Sequence, residues 1–370
     1  MSTPTKFLFV MDPLETLNLE TETSLVLMQD LIERGQGVYW IQQEDLALVH
    51  GRPTGLVFPV TGTDPLERAE PTWLELNLFD AVLVRKDPPF DTDYLQLTLI
   101  LDHLDPGVTQ FNDVKALRNF NEKMLPLRWP GFTPPTLITM NTDQLEQFTV
   151  EHRSLVLKPL NDCSGRGISR IDWDERGDFR EQIGEALIDA NGKARFLVAQ
   201  KYLPAVTQGD KRVYLVNGKP VGTVNRIPKP GSYLANIHQG AKCVHAQLSA
   251  RETHIINTIA PFLFEHGIFL AGADFIDGYL TELNITSPSA IRQINEVSGE
   301  QVQHSIVDAM LARIARQRRS ERAVLARTAG AWRPVRAGCQ HNCMSMIDQV
   351  AYNRSAPIRI SRLRPSQAGS

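Results

Sequence analysis

Three side chains near the C-terminal third of the chain have the types and spacing that a divalent cation needs. They lie in Asp274-Phe-Ile-Asp-Gly-Tyr-Leu-Thr-Glu282-Leu-Asn284. Glu282 and Asn284, two apart on a strand, share a face. Two carboxylates and an amide oxygen form a hard oxygen set suited to Mg²⁺, which takes few carboxylates beside water and phosphate. Register decides whether Asp274, expected at an exposed strand end, joins them. A two-residue Asp277-Gly278 turn pairs Asp274 with Thr281 and turns Glu282 to the other face. Co-location requires a loop with an odd residue count, or a bulge. Taken alone, a solvated strand bearing acids accounts for the segment equally well.

Cationic residues stand elsewhere at strand ends. Lys158 closes an apolar strand and precedes Pro159-Leu-Asn-Asp-Cys-Ser-Gly-Arg-Gly167. An ammonium beside a loop of free N–H groups suits phosphate, and a plain hairpin between 155–160 and 168–172 is the competing reading. Gln200-Lys201-Tyr202-Leu203 leaves another strand, where backbone can meet an adenine edge while Tyr202 and Leu203 cover its face. Arg212, opening the strand after Gly209-Asp210-Lys211, can clamp a phosphate or acyl phosphate with two parallel hydrogen bonds. His238, in a polar loop, reads as a surface histidine or a substrate contact.

The elements that must position these groups alternate at first. Lys6–Met11, Gly37–Ile41 and Ala81–Arg85 read as strands, with helices over Ser24–Arg34, stopped by Gly35, and from Tyr94 to about His103. That alternation predicts a parallel sheet covered by helices. Residues 49–71, rich in Gly, Pro and Thr, read as a loop or small hairpin. From Pro134 onward the material is α+β. Strands Leu155–Lys158, Phe196–Gln200, Arg212–Val216 and Tyr279–Thr286 are rich in β-branched and aromatic residues, and Asn217-Gly218 and Asp277-Gly278 signal antiparallel hairpins. Helices are expected over Thr142–His152, Asp178–Asp189, Ala250–His266 and Val302–Gln317.

Bulk properties narrow the class. The 370 residues are 42% hydrophobic and 22% charged, ordinary for a globular chain with several cores. No apolar run reaches the roughly 18 residues of a membrane span, and the first residues lack a signal-peptide pattern. Four cysteines are too few for a disulfide framework and fit a reducing cytoplasm. The net charge of −3 is uneven: from Arg313 onward twelve Arg against Glu321 and Asp348 leave +10, and the remaining body carries −13. An acidic body argues against nucleic-acid binding. No Rossmann, P-loop or G-x-S-x-G pattern occurs, and Cys339 and Cys343 around His341 lack a second ligand pair for zinc.

In order along the chain stand Met11-Asp-Pro13, Arg85-Lys-Asp-Pro-Pro-Phe-Asp91, Asn121-Glu-Lys123, Leu157-Lys-Pro-Leu160, Ala199-Gln-Lys-Tyr-Leu203, Gly209-Asp-Lys-Arg212, Arg226-Ile-Pro228 and Leu280-Thr-Glu-Leu-Asn-Ile-Thr-Ser-Pro288. Over about residues 6–314 this series resembles the bacterial glutathione synthetase family of ATP-grasp ligases. The resemblance implies an α/β N-terminal parallel-sheet domain followed by an α+β ATP-grasp fold with antiparallel sheets. It implies ATP and Mg²⁺, with Mn²⁺ as a substitute, and phosphorylation of the γ-glutamylcysteine carboxylate followed by attack of glycine. Lys123, Lys158, Ser164, Gly165 and Gly167 would meet the ATP phosphates, Gln200 to Leu203 the adenine, and Asp210 the nucleotide. Arg212 and Asn236 would be catalytic, and Asp274, Glu282 and Asn284 would hold the metal. Arg85, Asp87, Ser287, Ser289 and Arg292 would lie near the peptide.

Two stretches depart from the family pattern. The loop after Lys158 reads Asn-Asp-Cys-Ser-Gly-Arg-Gly where the family has roughly Asp-Gly-x-Gly-Gly. Leu234-Ala-Asn-Ile-His-Gln-Gly-Ala241 lacks an Arg-Gly pair and is closer to the Asn-x-His-x-Gly pattern of the ribosomal-protein S6 glutamate ligase branch. A ligase for another amino-acid or peptide pair, or a non-catalytic nucleotide-binding relative, are the alternatives. The expected divisions are 1–121 for substrate binding, 122–203 for the ATP lid, 204–319 for the metal site, and 320–370 as a loosely ordered Arg-rich tail. A cytoplasmic homo-oligomer with no nucleic-acid or membrane partner completes the expectation.

Overall fold

The computed structural model of the chain describes residues 3–19, 21–162, 165–189 and 191–331. Its first sheet contains β1 (Lys6–Met11), β2 (Gly37–Gln42), β3 (Leu46–Val49), β4 (Arg52–Thr63), β5 (Leu66–Arg68), β6 (Thr72–Glu75), β7 (Ala81–Val84) and β8 (Thr109–Phe111). Strands β2, β1, β7 and β8 are parallel neighbours, as the alternation predicts. Phe7 to Met11 have no exposed surface, the mark of a parallel strand covered on both sides. Helix α1 (Thr23–Glu33) ends before Gly35, whose φ of +70° suits glycine. Helix α2 (Thr92–Leu101) starts on an Asp91 carboxylate that accepts from the Tyr94 N–H.

Of the two readings of residues 49–71, the hairpin holds and the loop does not. These residues supply β4 and β5, and β4 pairs antiparallel with β2, β3, β5 and β6, so the sheet is mixed. Its glycines and prolines mask the two-residue alternation that buries Pro53, Gly55 and Val57. A Cβ on Gly55 would stand 2.3 Å from Ile41 Cδ1, so this glycine records close packing rather than a turn.

After α3 (Val114–Asn119), missed by periodicity because it is so short, come two antiparallel sheets. One contains β9 (Thr136–Thr139), β10 (Ser154–Pro159), β11 (Ser169–Asp172) and β12 (Leu197–Lys201), covered by α4 (Thr142–His152) and α5 (Phe179–Leu187). It has its own core of Leu145, Leu155, Leu157, Ile171, Phe179 and Ile183. The other contains β13 (Asp210–Val216), β14 (Lys219–Ile227), β15 (Lys242–His245), β16 (Leu270–Ile276) and β17 (Tyr279–Asn284). Two cores join it to the first sheet: Val213, Leu215 and Ala273 pack with Leu8, Val10 and Val84, and Tyr214 and Val216 share a cluster with Phe7 and Phe9.

Helix α6 (Ala250–Glu265) opens with a reciprocal capping box of Ser249 and Glu252. Helices α7 (Ile291–Ser298) and α8 (Val302–Ala331) close the described chain. Helix α8 passes well beyond Gln317, so the first residues of the expected loose tail are helical. The contacts divide the chain into Met1–Arg322 and Ala323–Ser370. Cys339, His341 and Cys343 lie outside the described residues. Among those described, no helix is long and apolar enough to cross a membrane.

Candidate active site

Two hairpins build the floor of the site. In each, a two-residue turn (Asn217-Gly218, Asp277-Gly278) has both residues at positive φ, the geometry that matches strand twist. In each, one further residue is bulged. Register shifts between Tyr214 and Leu215 opposite β14, and between Asp274 and Phe275 opposite β17, leaving Val221 and Thr281 as the extra residues. The consequence is a row of charge on one face. Asp210 stands opposite Arg226, Arg212 opposite Asp274, and Asp274 opposite Glu282. The register question posed by the sequence is answered by the bulge; the turn itself stays a simple Asp-Gly pair.

The row is tightly bonded. Arg212 grips Asp274 with both prongs, Nε to Oδ1 at 2.7 Å and Nη2 to Oδ2 at 2.6 Å. Arg226 reaches Asp274 Oδ2 at 3.0 Å and Asp210 Oδ2 at 2.8 Å. Burial pushes the Asp274 carboxyl up, but Arg212 and Arg226 outweigh it and hold the group at about 2. Asp210 goes the other way. Burial, only partly offset by Arg226, raises it to about 6, and its Oδ1 is buried without a hydrogen-bond partner. Asp274 is 3% exposed, so the expected exposed strand end is a buried ion network instead.

Above this floor opens a cleft of about 460 Å³. Lys123, Lys158, Arg212 and Arg226 line it from the cationic side, with Glu282 and Asn284 among them. Lys123 Nζ donates to the Leu160 and Asp162 carbonyls and lies 3.6 Å from Glu282 Oε1. Lys158 Nζ donates to Gln200 Oε1 at 3.1 Å, and burial lowers its ammonium. β10 and β11 do form the plain hairpin of the competing reading, and Lys158 still faces the cleft. The loops carrying Gly165 and Asn236 meet there: Gly165 has φ +79°, and a Cβ on it would fall 2.8 Å from Asn236 Oδ1.

The opposite wall is acidic. Asp12, Glu22 and Asp87 line it, with Lys86 paired to Asp12. Asp87 keeps exposed surface, yet the cleft strips water from its carboxyl and, with Glu22 next in effect, raises it to about 6. Ser287, bonded to Asp87, and Ser289 complete this wall.

Several expected residues lie off the cleft lining. Arg85 is buried, its Nε donating to Ser24 Oγ and Nη2 to the Pro288 carbonyl, both at 2.9 Å. It props the 287–289 loop from behind. Arg292 has a buried Nε without a hydrogen-bond partner. Gln200 to Leu203 sit at the end of β12, where the Lys201 and Tyr202 N–H groups already donate to the Pro135 and Ser154 carbonyls. The Arg170 guanidinium lies 4.0 Å from the Tyr202 ring centroid, so that ring is stacked within its own sheet. Gly167, Asp210 and Asp274 also stand off the lining, and Ser164 lies outside the described residues. Reasoning from sequence assigned no role to Asp12, Glu22, Lys86 or Arg226. Arg226 was hidden by the bulge, since an unbroken hairpin pairs Asp210 with Asn225.

The donors can hold Mg²⁺. Among the described residues no cluster of three acidic, His or Cys side chains forms a protein-only cage. Mg²⁺ needs none, because it binds through one or two carboxylates plus substrate phosphates. Glu282 and Asn284 face the cleft, and Asp274 Oδ1, with Arg212 Nε as its donor in this structure, keeps a lone pair.

The fold matches known ATP-grasp structures. D-alanyl-alanine synthetase A from Vibrio cholerae superposes with a TM-score of 0.56 at 16% identity, over 85% of this chain and 99% of that one. The ATP-grasp ligase PsnB, solved with Mg and ADP, gives 0.55 at 15% over 85% of this chain and 100% of that one. Family models for the prokaryotic glutathione synthetase N-terminal domain and ATP-grasp domain match residues 5–118 and 122–299. Glutathione synthetase of Nitrosomonas europaea is 36% identical over 324 residues, covering 85% of this chain and all of that protein. The Pseudomonas aeruginosa enzyme is 32% identical over 316 residues, covering 83% of this chain and 97% of its own. A charged floor, a cationic wall and similarity over most of the chain agree: the chain belongs to the prokaryotic glutathione synthetase family and is an ATP- and Mg²⁺-dependent ATP-grasp carboxylate–amine ligase.

Proposed function

We propose that this chain joins γ-glutamylcysteine to glycine, with ATP cleaved to ADP and phosphate. The observation that carries the reading is the meeting of Lys123, Lys158 and Arg212 with Glu282 and Asn284 in one cleft faced by an acidic wall. The peptide's terminal carboxylate takes the γ-phosphoryl group, forming an acyl phosphate. The glycine nitrogen then attacks that carbonyl, phosphate leaves, and the amine loses a proton. No protein nucleophile is required, only positioning and charge compensation.

Lys123, Lys158 and Arg212 stabilise the phosphoryl oxygens, Asn236 borders the acyl phosphate, and Gly165 and Gly167 let backbone approach the phosphates. Gln200 to Leu203 take the adenine, with Asp210 behind the nucleotide. Asp274, Glu282 and Asn284 would hold Mg²⁺, which would supply charge neutralisation to the phosphates. Arg85, Asp87, Ser287, Ser289 and Arg292 bind or frame the peptide. We also assign 1–121 to the peptide, 122–203 to the lid and 204–319 to the metal end, in a cytoplasmic homo-oligomer.

A second reading keeps the chemistry and changes the acceptor. It is favoured by Asn236 and Ile237, which bring the divergent 234–241 loop into the cleft. One assay separates the readings: MgATP and γ-glutamylcysteine with each amino acid in turn, following ADP and product. Glycine-dependent ADP release supports glutathione synthesis, release with another acceptor alone supports the second reading, and none with any pair indicates a non-catalytic relative.

A further inference from the structure

Glu122 precedes Lys123, and the chemistry above gives it no part. Its surroundings single it out. It is buried, and its Oε1 alone accepts from three donors across the cleft: the Ile285 N–H at 2.6 Å, the Thr286 N–H at 2.7 Å and Thr286 Oγ1 at 2.8 Å. Its backbone carbonyl accepts from the Leu283 N–H at 3.1 Å. The exit of β17 is therefore strapped to one residue.

The same short turn is bound to the phosphate side. Asn121 Nδ2 donates to the Leu160 carbonyl at 3.1 Å, and Lys123 Nζ donates to the Leu160 and Asp162 carbonyls. Residues 121–123 thus bridge the loop after β10 and the exit of β17. Asn284 and Ser287, on either side of the strap, both line the main cleft. Glu122 itself lines that cleft and a smaller neighbouring cavity of about 160 Å³. A carboxylate buried beside Glu282 is costly. Three donors converging on one oxygen offset part of that cost and set the spacing of the two walls.

We propose that Glu122 is a positioning residue for the ligase reaction: its carboxylate holds Asn284 and Ser287 in register with Lys123, so the metal–phosphate end and the peptide end of the cleft keep a fixed separation. The proposal rests on the ligase reading above. Glu122 acts through the backbone of 283–286.

The test compares the full chain with Glu122→Ala and Glu122→Gln in the γ-glutamylcysteine, glycine and MgATP assay, with melting followed in parallel. Misplacing reacting groups by a fraction of an ångström to one ångström costs up to about 100-fold. We expect Glu122→Ala to lower kcat/KM for the dipeptide by about 30-fold, with KM for ATP changed by less than about threefold. Glu122→Gln keeps an acceptor oxygen for the two N–H groups and should recover most of that loss, to within about fivefold of the parent. If the alanine chain does not fold, Glu122→Asp takes its place, because its shorter side chain withdraws the oxygen from Ile285 and Thr286. An active parent with unchanged kcat and KM values in the variant overturns the proposal. So does an equal rise of both KM values that glutamine does not rescue, which marks a merely structural role. A parent inactive with every acceptor counts against the ligase reading instead.

Discussion

Asp274 and Glu282 are direct cross-strand partners, although the turn between their strands is only Asp277-Gly278. The extra residue at Thr281 turns Glu282 back to the face of Asp274. Its hydroxyl donates to the Asp274 carbonyl at 3.2 Å, anchoring the bulge next to the residue it serves. One added residue in each of two hairpins gathers Asp210, Arg226, Arg212, Asp274 and Glu282 on one face. Bulges beside active sites re-aim side chains in this way.

Asp274→Asn should do more than stop turnover. The carboxylate lies between Arg212 and Arg226 at 3% exposure, so its loss leaves two buried guanidinium groups undercompensated. Breaking such a buried arrangement costs about 3 kcal/mol. Urea denaturation should show that loss alongside a fall in kcat of more than about 100-fold. Parent-like stability would mean that the ion network does not form in solution.

Glu282→Gln should separate metal affinity from stability. Glu282 is 22% exposed at its side chain and 3.6 Å from Lys123, longer than a hydrogen bond, so the pair holds the fold less tightly than the bidentate Arg212–Asp274 contact does. The Mg²⁺ concentration for half-maximal ADP release should rise about tenfold or more, while the melting temperature shifts by less than about 2 °C. An unchanged Mg²⁺ requirement would remove Glu282 from the metal site.

The coupled acids predict a two-limbed pH profile. Asp274 sits at about 2, so its contribution to stability is full above the unfolded value of about 4 and is lost as pH falls toward 2. Asp210 is raised to about 6, so its contribution is full below about 4 and is lost as pH rises through 6. The unfolding free energy should climb from pH 2 to 4 and decline from 4 to 6, by about 2 kcal/mol on each limb. Asp210→Asn should shrink the declining limb and leave the rising one, with Asp87, also raised to about 6 but partly exposed, keeping the remainder. A variant whose profile declines from pH 4 to 6 as steeply as the parent's would place that titration elsewhere.

Gly165→Ala should weaken nucleotide binding. A side chain at φ +79° is strained by about 1 kcal/mol, and the new Cβ meets Asn236 Oδ1 at 2.8 Å. Moving either loop should raise KM for ATP about tenfold, with the melting temperature nearly unchanged because the loop lies outside the cores. Isothermal titration with ADP checks this directly; parent affinity would show that the loop does not shape the nucleotide site.

Local information in the chain sufficed for much of this. The continuous apolar run of β1, the helices α4 and α6, and the Asn-Gly and Asp-Gly turns are encoded within a few residues, and the structure keeps them. The types and order of Lys123, Lys158, Arg212, Asp274, Glu282 and Asn284 likewise mark the chemistry. What tertiary structure decided is where each side chain points. β4 is a strand despite its glycines and prolines because Gly55 packs against Ile41 and β4 pairs with β2, β3, β5 and β6. Arg85 and Arg292 share the charge of cleft residues but stand off the lining. Glu122 and Arg226 became visible only once backbone from distant segments closed around them. Side-chain direction in a sheet flips with every residue of register, and register here depends on two bulges that local sequence does not announce.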